Sequence, residues 1–185
     1  MTFTETKTLS EALALTADDI EHLVANPIGD TTFYMGSWLK TRTTVDGEHK
    51  PCETCLAGIV MIQRFDGLQA LKEKVRTIAA TRRPDERYPV TAEIMPGDLA
   101  WKLTDPAPDE AIRKLGALED ARRGSYLNAI HKGWPRELSD ENIAKVDEIP
   151  TPVFGSKSQF TASEMLEGVR DLRTTIIPRL RAAGC

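Results

Sequence analysis

No stretch of this 185-residue chain is long and apolar enough to cross a bilayer, and the longest apolar run reaches about half a span. No membrane partner is therefore expected. The opening residues, Met1-Thr2-Phe3-Thr4-Glu5, lack the basic and apolar regions of a secretory signal. Cysteine is scarce: three residues, an odd number, with Cys52 and Cys55 close together and Cys185 far away. That is not a disulfide framework, and it predicts a reducing cytoplasm as the compartment. Glycine-rich phosphate loops are missing, with neither Gly-x-x-x-x-Gly-Lys-Ser/Thr nor Gly-x-Gly-x-x-Gly present, and no Gly-x-Ser-x-Gly elbow occurs. Internal repeats, low-complexity tracts and long heptad series are absent as well. The net charge of −4 has no dense run of carboxylates behind it, which argues against a DNA mimic and against nucleic-acid binding through bulk charge.

What is present is an ordinary globular composition, 41% hydrophobic and 28% charged, on a chain long enough for one domain with a sizeable core. The pattern predicts a mainly α fold over residues 1–185: a single compact helical domain of about six to seven helices, with room for one short β-hairpin. Thr16-Ala17-Asp18-Asp19 resembles a capping box that would start a helix carrying Ile20, Leu23 and Val24, stopped by Asn26-Pro27. Residues 31–47, with Phe33, Tyr34, Trp38 and the Asp46-Gly47 turn signal, suit the hairpin. Leu56, Ile59, Val60, Ile62 and Phe65 form a helix apolar on nearly every side, as expected of a buried one. Leu68, Leu71, Val75 and Ile78 make an amphipathic stripe. The proline-rich stretch 84–108 reads as a connector with one strand (Tyr88 to Ile94) and a helical turn around Trp101.

Further helices are expected from Asp109 to a break at Gly124, around Leu127 and Ile130, and after the caps Ser139 and Thr161. Pro178 should kink or end the last one. The acidic pairs Asp18-Asp19, Glu119-Asp120 and Asp140-Glu141 read as solvated helix starts and polar faces. Arg82-Arg83 and Arg122-Arg123 fall near helix ends, where cations offset the helix dipole.

The segment with the most specific chemistry is His49-Lys50-Pro51-Cys52-Glu53-Thr54-Cys55. His49, Cys52 and Cys55 supply three zinc-type ligands at spacings of three, and a fourth would have to come from His22, His131, Cys185 or a distant carboxylate. A redox Cys-x-x-Cys is a second use, although such sites follow a strand in a βαβ setting. The simplest reading places Cys52 near a helix start and packs Cys55 as a small apolar side chain, with no resident cofactor. Pro51-Cys52-Glu53-Thr54-Cys55 also resembles the helix start of zinc-dependent deaminases. That resemblance would require a His-x-Glu upstream, and Glu21 and Glu48 precede their histidines, so the general acid/base of the family is missing.

Phe33-Tyr34-Met35-Gly36-Ser37-Trp38, followed by Cys52-Glu53-Thr54-Cys55-Leu56-Ala57-Gly58, resembles a pattern in small bacteriophage and prophage proteins of no established activity. There a Phe-x-Met-x-x-Trp segment precedes a helix start ending in Cys-Leu/Ile-Ala-Gly. The resemblance implies a phage-borne origin, with the host cell's cytoplasm as the compartment, and a helical fold. Ala57-Gly58 would let a neighbouring element approach the helix closely, with Met35 and Trp38 as candidates for that contact. The function expected is non-enzymatic binding to a host or phage protein, inhibiting a defence or metabolic protein, with a homo-oligomer also compatible. Trp101, Trp134, Arg122 and Arg123 are the candidate partner-binding residues. The alternative is a metal- or nucleotide-handling enzyme with its site around Cys52 and Cys55.

Overall fold

A computed structural model describes residues 2–27, 31–36, 38–43, 49–64, 90–93 and 109–185, with 39–43, 49–52 and 90–93 described by their backbone. The fold is mainly helical with a small sheet, as the sequence pattern predicts. The amphipathic stripe at 68–78, the turn at Asp46-Gly47 and the expected helical turn around Trp101 lie outside the described residues.

The first helix, α1 (Leu9–Ala25), begins well before Thr16. Thr8-Leu9-Ser10-Glu11 is itself a cap sequence, and the Thr8 hydroxyl accepts the Glu11 N–H at 3.2 Å. Leu9, Ala12, Leu13, Ala17, Ile20 and Leu23 then follow at helical spacing and are all buried. Thr16 is interior rather than a cap, its hydroxyl donating to the Ala12 carbonyl at 2.8 Å. The helix stops where Asn26-Pro27 predicts, with the Asn26 N–H donating to the His22 carbonyl.

Five short strands follow a mixed order, β4-β2-β3-β1-β5: β1 (Thr32–Tyr34), β2 (Leu39–Thr43), β3 (His49–Thr54), β4 (Val90–Glu93) and β5 (Gln159–Phe160). An antiparallel β2–β3 pair forms, but its second strand lies beyond the 31–47 expected for a hairpin, and the pair is part of a larger sheet. β1 runs parallel to β3, and β5 returns from far along the chain to pair with β1. Lys40 pairs with Glu53 and Arg42 with Lys50, so Thr41 alone opposes both Pro51 and Cys52. This is a β-bulge, and it sits at the one residue that cannot donate a ladder hydrogen bond.

α2 (Leu56–Arg64) starts one residue after β3 ends and buries seven consecutive residues, Leu56 to Ile62. α3 (Asp109–Arg122) and α4 (Tyr126–Gly133) form an antiparallel pair joined at Gly124, whose φ of 79° suits glycine. A Cβ built on Gly133 would lie 2.8 Å from the Ala117 Cβ, so the two helices meet through small residues. α5 (Asp140–Asp147) is capped by Ser139 as expected. The loop before the last helix includes a 3-10 turn (Val153–Gly155) that seats Phe154 against Phe160 and over Gly168.

α6 (Ala162–Asp171) opens with a complete Thr161/Glu164 capping box. Pro178 neither ends this helix nor breaks it sharply. A π-helical turn (Leu172–Ile176) precedes it, with the Ile177 N–H reaching back five residues to the Leu172 carbonyl, and α7 (Ile177–Ala182) continues beyond. The wider turn accommodates a residue that has no N–H and whose ring crowds the preceding turn. Buried residues from Phe3 to Cys185 form one continuous apolar cluster.

Two stability predictions follow from local geometry. Glu164 is held down to about 2 by its hydrogen bonds from Lys157, and by the Thr161 N–H and hydroxyl. Because the folded state favours its ionised form, its contribution is complete above the unfolded value near 4.5 and lost as pH falls towards 2. The melting temperatures of the wild type and Glu164→Gln should therefore differ at neutral pH and converge across that interval. Gly168→Ala would place a Cβ 2.2 Å from the Phe154 ring. Urea unfolding should show a loss of about 2–3 kcal/mol.

Candidate functional site

The junction between β3 and α2 gathers the residues that the cysteine motif brings to attention. Its centre is a backbone carbonyl, that of Trp38. The Cys55 N–H donates to it at 3.4 Å and the Thr54 hydroxyl at 3.2 Å, with the Cys55 thiol at 3.7 Å. The same carbonyl lies over Gly58, where an added Cβ would fall 1.8 Å from the oxygen. The close approach expected at Ala57-Gly58 is thus made by the Trp38 backbone, and Met35 is buried in the same core.

Cys55 occupies the helix N-cap position: its carbonyl accepts the Ile59 N–H at 2.9 Å. One turn of helix dipole would ordinarily favour a thiolate there. Burial has the opposite effect and dominates, raising the thiol well above its ordinary value, with the nearby Glu119 carboxylate pushing the same way. Cys55 is completely inaccessible and stays protonated at neutral pH. A buried neutral thiol is neither a good nucleophile nor a ready metal ligand.

Glu119 is the site residue that sequence reasoning missed. Read from the sequence, Glu119-Asp120 is a solvated pair, yet Glu119 reaches across from α3 to accept the Ala57 N–H at 3.2 Å. It thereby caps a helix to which it does not belong. Arg122, three residues along α3, donates to its other oxygen at 3.0 Å and to the Phe154 carbonyl at 3.1 Å. The Glu-x-x-Arg spacing signals the ion pair; nothing local signals the cross-helix cap. Asp19 departs from the solvated-start reading in the same way. It is buried in the middle of α1 and joined to α2 by a fork of two contacts from Arg64, at 2.8 and 3.2 Å. Burial raises its carboxyl above the usual range despite the Arg64 charge.

The other candidates separate sharply. Trp134 is buried, its indole N–H donating to the Thr6 carbonyl at 3.1 Å, and Arg122 is buried as described. Both side chains turn inward instead, and their N–H groups satisfy backbone carbonyls of distant segments. Arg123 is exposed at the end of α3. Trp101 lies outside the described residues.

His49 and Cys52 lie on β3 rather than at a helix start, with Cys52 in the bulge. Of the residues considered as a fourth ligand, His22 and His131 are exposed on α1 and α4, and Cys185 is buried beside the start of α1. Among the described residues, no three His, Cys, Asp or Glu side chains form a group able to hold a metal. No helix among the described residues is long and apolar enough to cross a membrane.

The architecture defined by these features is a mainly α protein with a five-stranded mixed sheet whose central strand feeds directly into a buried helix. No protein-family model, no curated protein and no solved structure matches the chain.

The junction generates two expectations. Gly58→Ala must displace the Trp38 carbonyl or the helix, and should cost about 3 kcal/mol or abolish folding, read by chemical denaturation. Cys55→Ala should cost on the order of 1 kcal/mol and leave the fold intact. Alkylation followed by mass spectrometry should modify Cys55 only after denaturation. Rapid labelling of Cys55 in the native protein at neutral pH would contradict the buried, protonated state.

Proposed function

We propose that the chain acts without catalysis, as a phage-type protein that binds a host protein and inhibits its defence or metabolic role. The observation carrying this reading is the state of Cys55. The most specific chemical motif in the sequence ends in a buried, protonated thiol whose neighbours serve to close β3 onto α2. Other buried and partly buried polar groups are similarly committed: Asp19 to Arg64, Glu119 to Ala57 and Arg122, Tyr126 to the Pro150 carbonyl at 2.8 Å. Groups so engaged hold the fold together and leave recognition to the surface. On that surface Arg123 remains a candidate contact; Trp101 is a second candidate on the sequence alone.

The test is quantitative affinity capture from a bacterial lysate with the protein immobilised, followed by direct binding to the purified captured protein. A single host protein retained in stoichiometric amount, bound at least about tenfold more weakly by Arg123→Ala or Trp101→Ala, is the expected result. One zinc per chain by native mass spectrometry, with Cys52 and Cys55 protected by it, would instead replace this reading with the metal-site alternative.

A further inference from the structure

We draw no further inference here: the strongest candidate, the small cavity between the first turn of α1 and the end of α4, lined by Lys7, Thr8, Trp134, Arg136 and Cys185 among others, has its nearby donors taken by the chain's own carbonyls (the Ser10 N–H by Cys185, the Trp134 indole by Thr6, Arg136 by Gly184), which leaves a helix N-terminus and a lone cysteine with nothing in the structure to show what would fill the space.

Discussion

The carbonyl of Trp38 is the point on which the arrangement of sheet and helices turns. A backbone oxygen buried between two elements must be satisfied, and here the donors come from the last residue of β3 and the residue that caps α2. The oxygen can reach them because Gly58 has no side chain in the way. β3 and α2 are separated by one residue, so little freedom remains in the direction of the helix once this contact forms. α2 then joins the rest of the protein from both ends: Glu119 of α3 holds its first turn and Asp19 of α1 holds Arg64 in its last. The sheet and the two neighbouring helices are positioned through one short buried segment.

That design places charge in the interior, and the environment decides the consequence for each group. Asp19 and Glu164 are both carboxylates with a basic partner. Glu164 stays at the surface, where hydrogen bonds to its ionised form cost little desolvation, and its carboxyl is held low. Asp19 is buried, and loss of water outweighs the guanidinium beside it. The thiol of Cys55 follows Asp19, with a neighbouring carboxylate reinforcing the effect of burial. Among the described residues, each buried polar side chain is matched with a donor or acceptor, which is what permits so many of them without opening the core.

Helices were legible in the sequence where caps and apolar spacing agree. Ser139 and Thr161 start α5 and α6 as read, Gly124 separates α3 from α4, and the uninterrupted apolar run after Cys55 is the buried helix. The reading failed where two signals of similar strength compete. Thr8-x-x-Glu11 and Thr16-x-x-Asp19 both resemble caps, and only packing tells that Thr16 and Asp19 belong inside the helix. The strand expected within Tyr88 to Ile94 is β4, but strands as short as β1 and β5 carry too little alternation to be read, and β5 exists because distant chain returns to pair with β1. Pro178 announced a disturbance, but that it would be met by a π-helical turn rather than a stop or a kink was not written in the sequence.

The sequence by itself determined the helical character, most of the caps and the close contact at Gly58, because these follow from the conformational preferences of neighbouring residues. Only the tertiary structure decided which polar groups do chemistry and which hold the fold together. The reason is physical: the protonation and availability of a thiol, a carboxylate or an indole depend on burial and on partners far away in the chain. Cys55 and Glu119 are 64 residues apart, as the 55 and 119 of their numbering give, and their meeting makes the thiol a structural group. Trp134 and Arg122 were equally free on paper to face outward until carbonyls of distant segments claimed them.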